Sequence, residues 1–151
     1  MSKPSVVVLD YGIGNLRSAQ KALERVGADA VLTADARIAA SADAVVLPGV
    51  GAFGACMNAL RAAGLESVVH DVVDQGKPFM GICVGMQLLA SRGVEHGVTP
   101  GLDWIGGEVV RITPADPAPA AHKSQASQTA KRDSRVRGND IIFFNYILFS
   151  L

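Results

Sequence analysis

The chain has little cysteine, little histidine and few aromatic residues, and it has no excess charge of either sign. Only Cys56 and Cys83 occur among its 151 residues, and the three histidines are His70, His96 and His122. The two cysteines lie far apart without metal-ligand spacing. That argues against a disulfide framework or a metal site and for free thiols in a reducing compartment such as the cytoplasm. Fourteen basic residues are offset by fourteen acidic ones, which leaves no electrostatic case for nucleic acid or an anionic membrane as partner. Long hydrophobic runs are missing as well. The opening MSKPSVVVLD has only about five apolar residues in a row, too few for a signal peptide. Nothing approaches the roughly 18 that a spanning helix needs. What is present is a hydrophobic content of 49% and a mean hydropathy of +0.27, which suit one densely packed domain with a core of its own.

Two hydrophobic periods alternate along the chain. Ser5 to Leu9 is a short β-branched run, the pattern of a strand buried on both faces of a parallel sheet. Asn15 is placed to cap a helix from Leu16 to about Val26, whose apolar face is Leu16, Ala19, Leu23 and Val26 and whose stop is Gly27. Further strands are expected at Ala30–Thr33, Ala44–Leu47, Pro78–Ile82 and Gly107–Ile112. Helices are expected at Phe53–Ala63, at Leu65–Gln75 and from Gly85 to about Arg92. Strand–helix alternation with short links predicts an α/β fold with a parallel sheet. Residues 1–114 carry this pattern. From about Ala115 the chain is rich in Ala, Ser, Pro and charge, without a sustained period, and reads as a disordered tail. It ends in IIFFNYILFSL, an uncharged β-prone run with the signature of an aggregating segment.

The stretch PFMGICVGMQLL, Pro78 to Leu89, carries the chemistry. A strand enters Gly81-Ile82-Cys83-Val84-Gly85 and a helix leaves it, the setting of a nucleophile elbow with cysteine in place of serine. A tight turn leaves no room for side chains at Gly81 or Gly85. It raises Cys83 to a helix N-terminus, where the dipole and free N–H groups favour thiolate, with the Val84 N–H at one arm of an oxyanion hole. The bland reading is a small buried thiol; the flanking strand and helix favour the nucleophile. A second loop, LPGVGAFG, Leu47 to Gly54, follows a strand and so belongs to the crevice at the strands' C-terminal ends. It is either a second oxyanion donor, through close backbone approach or a peptide flip, or an ordinary glycine-rich turn. A third loop, LDYGIGNLRS, resembles a phosphate loop but has only Gly-x-Gly, and capping by Asn15 explains part of it without a ligand.

These three motifs, in this order and spacing, together with PGLDWIGGEVVRI, resemble the glutamine amidotransferase subunits of imidazole glycerol phosphate synthase, which are class I, triad-type amidotransferases. The resemblance covers roughly residues 4 to 114. It implies a flavodoxin-like parallel sheet with helices on both faces and no cofactor. It implies hydrolysis of L-glutamine through a γ-glutamyl thioester on Cys83, and delivery of the ammonia to a (β/α)8-barrel cyclase in a heterodimer of histidine biosynthesis. It also implies that Val50, Gly51 and Val84 build the oxyanion hole, that Gly49, Gln87 and Glu95 contact glutamine, and that Asn15 faces the cyclase and couples the two sites.

A cysteine nucleophile needs a histidine base oriented by a carboxylate, which the family supplies late in its chain. None of the three histidines here has that setting. His70 is expected on a helix surface, His96 about 15–20 Å along the helix that starts at Cys83, and His122 in the tail. The tail is therefore expected to be substituted sequence, from a frameshift or read-through, and the alternative to an active enzyme is a catalytically incomplete fragment that docks on the cyclase. A phospho-acceptor receiver would need acidic residues that only Asp10 supplies. A redox sensor of the related elbow-cysteine proteins would need a carboxylate beside the thiol.

Overall fold

The computed structural model describes residues 2–111. The tail from Ala115 and His122 lie outside the described residues. Strands β1 (Ser5–Leu9), β2 (Asp29–Thr33), β3 (Ala44–Gly49) and β4 (Phe79–Cys83) form a four-stranded sheet in the order β2-β1-β3-β4. Every pairing in it is parallel. The connections are helices α1 (Leu16–Arg25), α2 (Ala36–Ser41), α3 (Phe53–Ala62) and α4 (Glu66–Asp74).

Strand alternation sends successive side chains to opposite faces, and both faces are apolar, as a parallel sheet requires. Val6, Val8 and Val46 meet Leu16, Ala19 and Leu23 of α1 on one face. Val7, Leu9, Val45, Leu47 and Phe79 meet the other helices on the opposite face through Ala39, Met57, Leu60, Val69 and Val72. Full burial of each such Val or Leu is worth about 1.5–3 kcal/mol, so these two layers supply most of the driving force. Helices thus flank both sides of the expected parallel sheet.

Local signals set the ends of α1, with one correction. Gly27, at φ +98, closes the helix through its N–H to Glu24 O at 3.0 Å, as its position predicts. Asn15 occupies the N-cap position, but its side chain makes no capping hydrogen bond. Its ψ of 65 departs from the extended conformation that aims a cap side chain at the first turn. Helix α2 was not expected. It is a single Ala-rich stretch too short to show a period, and it starts where Asp35 accepts from Arg37 N at 2.8 Å.

The larger correction follows Cys83. The helix expected over Gly85–Arg92 is only α5 (Val84–Gln87), and the chain returns as β5 (Ala90–Gly93), which pairs with β6 (Thr99–Pro100) and β7 (Ile105–Val109) in a second small sheet. The reason lies in the backbone. Leu88 O accepts from Leu102 N at 2.8 Å, and Leu89 O accepts from Trp104 N and Ile105 N, both at 2.9 Å. The 102–105 segment occupies carbonyls that a longer helix would have used. Leu88 and Leu89 are fully buried beneath it.

Asp43 ties the starts of β1 and β3 together, accepting from Ser5 N and Ser5 Oγ, both at 2.8 Å. These bonds, the backbone one first, hold its carboxyl below the ordinary carboxylate range. A depressed folded value adds stability above the unfolded pKa, and that stability is lost as pH falls through the folded value. Melting temperature in the wild type should therefore fall more steeply below about pH 4 than in Asp43→Asn. Parallel curves for the two proteins would show that this contact does not titrate with folding.

Candidate active site

The three loops singled out by the sequence follow β1, β3 and β4, so a parallel sheet brings all of them to one edge. Register makes the placement specific. Gly49, the last residue of β3, pairs with Cys83, the last residue of β4. The Val50–Gly51 segment therefore starts beside Cys83. Gly14, in the loop after β1, also reaches this edge: a Cβ there would come within 3.4 Å of Pro48 Cβ.

Cys83 has φ 56 and ψ −119, a left-handed backbone for a residue with a side chain. Strain of this kind costs on the order of 1–3 kcal/mol and marks functional positions, and here it belongs to the expected strand-to-helix elbow. The surrounding glycines show why the turn holds. A Cβ on Gly81 would lie 2.5 Å from Met86 Cα, and one on Gly49 would lie 2.6 Å from Gly85 N. A Cβ on Gly85 would overlap Leu47 O outright. The ends of β3 and β4 and the first turn of α5 are thus in direct backbone contact. Because α5 is four residues long, Cys83 sits at a single turn, and the full helix dipole invoked from the sequence is not available to it.

Val84 is buried directly after Cys83. Gln87 ends α5 four residues after Cys83 and is half-buried. Val50 is 49% exposed and open to the crevice edge. Glu95 accepts from Phe53 N at 3.0 Å, which serves the N-terminus of α3 from across the chain. It also lines a cavity of ≈ 400 Å³ with Phe53, Asn58, Gly93, His96 and Thr99. Cys83 is not part of that lining. Asn15 is exposed on the loop after β1.

The histidines are placed differently from expectation. His70 is half-buried rather than a surface residue: its Nδ1 accepts from Trp104 Nε1 at 3.0 Å, with the rings edge-on at 5.4 Å. The 102–105 segment that truncates α5 also lays Trp104 over α4. His96 is not carried out along a helix, since the chain turns back after Gln87 and leaves it on the cavity with Glu95. Neither histidine hydrogen-bonds Cys83 among the described residues.

Two residues that the sequence reading passed over stand behind the loops. Tyr11 is buried, and its hydroxyl donates to Pro48 O at 2.5 Å. Cys56 is fully buried, and its thiol donates to Val50 O at 3.2 Å. An aromatic directly after β1 was the only hint of the first, and nothing distinguished the second from an ordinary core thiol.

Residues 7–143 match the family described as "Glutamine amidotransferase class-I". The chain belongs to the class-I glutamine amidotransferase family. Among curated proteins similar to it are two called "Imidazole glycerol phosphate synthase subunit HisH". The one from Mycolicibacterium paratuberculosis is 56% identical over 113 residues, which is 74% of this chain and 55% of the relative. The one from Caulobacter vibrioides is 52% identical over 120 residues, 75% of this chain and 56% of the relative. A solved structure titled "Crystal structure of glutamine amidotransferase" superposes with a TM-score of 0.59 at 26% identity, over 70% of this chain and 56% of the other. The chain thus spans little more than half the length of these relatives. The flavodoxin-like fold expected of the family agrees with that superposition and with the parallel sheet.

Proposed function

We propose that this chain carries the nucleophile of a glutaminase subunit of imidazole glycerol phosphate synthase. The observation that carries the reading is the strained Cys83 elbow set in register beside Gly49 and the Val50–Gly51 loop. The Cys83 thiolate attacks the γ-carboxamide carbon of L-glutamine, and the carbonyl oxygen becomes an oxyanion facing backbone N–H groups of Val84 and the 50–51 loop. As that intermediate collapses the C–N bond breaks, the departing nitrogen takes a proton from water and leaves as ammonia, and a γ-glutamyl thioester remains on Cys83. Water then releases glutamate and restores the thiol. Gly49, Gln87 and Glu95 contact the substrate. Asn15, exposed beside this edge, faces a (β/α)8-barrel cyclase that receives the ammonia within a heterodimer. The similarity of the chain to the two HisH subunits supports this assignment to histidine biosynthesis, and its two free thiols suit the cytoplasm.

A second reading is favoured by a specific observation: neither described histidine is bonded to Cys83. It holds that this chain docks on the cyclase without turning glutamine over. Glutamate release from L-glutamine, measured with the cyclase and its nucleotide ligand present, separates the two. Turnover that disappears in Cys83→Ala would carry the first reading. A soluble chain that binds the cyclase and releases no glutamate would replace the first reading by the second.

A further inference from the structure

An indole N–H only donates, so the His70 nitrogen that meets Trp104 Nε1 at 3.0 Å must accept. A ring nitrogen accepts only while it carries no proton. The bond therefore belongs to the neutral ring of His70, with its proton on Nε2, and not to the imidazolium, in which both nitrogens donate. Trp104 is buried between two elements, edge-on to His70 of α4 at 5.4 Å and to Phe79 of β4 at 5.0 Å. The backbone around it is the strap that ends α5. Leu102 N donates to Leu88 O at 2.8 Å, and Trp104 N and Ile105 N both donate to Leu89 O at 2.9 Å. Leu88 N in turn donates to Val84 O at 3.0 Å, so the strap backs the single turn that follows Cys83. Asp103, inside the strap, has φ 57, an uncommon backbone for a residue with a side chain, and one that persists only where its surroundings hold it. The anchored indole of the next residue supplies that hold.

We propose that His70 and Trp104 form a proton-sensitive latch: neutral His70 holds the 102–105 strap over the end of α5, and uptake of a proton by His70 releases it. The latch stands under either reading of function, because it involves no substrate. The closed strap excludes a proton that the open one accepts, so closure is favoured as pH rises. The charged groups on the elements around His70 are Glu66, Asp71 and Asp74 of α4 itself, Arg61 of α3, Arg37 of α2 and Asp103 of the strap. Glu66 is engaged by Arg61 and Arg37 by Asp35, and no ion pair among the described residues includes His70. Trp104 Nε1 is its one side-chain hydrogen-bond partner among them. Loss of that bond leaves the strap's strained turn without its anchor.

Amide hydrogen exchange in the intact chain tests the latch. Mass spectrometry reads the protection of the peptide covering 102–105, with the chemical exchange rate at each pH divided out. Histidine in water takes up its proton at about pH 6.5. With that proton confined to the open form, protection of the strap should fall about tenfold from roughly pH 7.5 to roughly pH 5.5. Protection of β1 should stay constant over the same range. His70→Asn keeps an acceptor oxygen where Nδ1 lies and does not titrate, so its strap should stay protected at both pH values. His70→Leu keeps the bulk without an acceptor, and its strap should show the lowered protection at both. Constant protection of the wild-type strap across this range would overturn the latch, and that measurement needs no variant. A tenfold fall shared by His70→Asn, or by β1, would overturn it too, because the proton would then be acting elsewhere.

Discussion

Gly85→Ala should unfold the protein or come close to it. The new methyl would coincide with Leu47 O and lie 2.8 Å from Leu47 C. The clash is backbone against backbone, in the middle of paired strands, so neither side relaxes by a rotamer change. Overpacking in cores usually costs about 1–3 kcal/mol, more where nothing can move, against a total stability of about 5–15 kcal/mol. A loss of 3 kcal/mol or more is expected in urea titrations. Gly27→Ala is the control. Its backbone is left-handed, which that of Gly85 is not, but a Cβ there would meet nothing within 4 Å, so only conformational strain of about 1–2 kcal/mol remains. Equal losses in the two variants would show that the β3–elbow contact is looser than described.

Phe53→Ala should cost a similar amount, about 3–5 kcal/mol, for the opposite reason. Phe53 is 1% exposed and opens α3, where its N–H meets Glu95. Its ring lies against Gly93 of β5 and Gly101, both of which lack a Cβ where that ring packs. The ring is therefore the joint between the main sheet and the small one. A double-mutant cycle checks it: Gly93→Ala should be costly in the wild type, where its methyl would fall on the ring, and much cheaper in Phe53→Ala. Additive losses would mean that the two sheets do not share this contact.

The first four strands and helices α1, α3 and α4 were legible in the sequence because each is a clean run of one period: β-branched for Ser5–Leu9, helical for Leu16–Arg25. The chain beyond Gln87 was not. Leu88 and Leu89 continue a helical pattern, and only the return of residues 102–105, some fifteen residues later, takes the carbonyls such a helix would use. Nothing local announces a competitor at that distance. The site divides in the same way. The juxtaposition of Cys83 with Gly49 and the start of the 50–51 loop was legible because motif and strand position coincide, and the crowding expected at Gly81 and Gly85 is what the backbone shows. Tyr11 and Cys56 escaped because burial conceals their bonds to Pro48 and Val50, and the Asn15 cap failed because a residue type suited to capping does not fix its own ψ.

The glycine seam between β3 and the elbow has one further consequence. Where main chain rests on main chain, the location of the Cys83 sulfur is indifferent to which side chains surround it. Under the function proposed above, a library randomised at Val50 and Gln87 would change what the crevice accepts while the thiol stays where it is. Variation at Gly49, Gly81 or Gly85 removes the thiol's support before any new specificity is expressed. Selection can thus act freely on the crevice walls only while those three positions stay as they are.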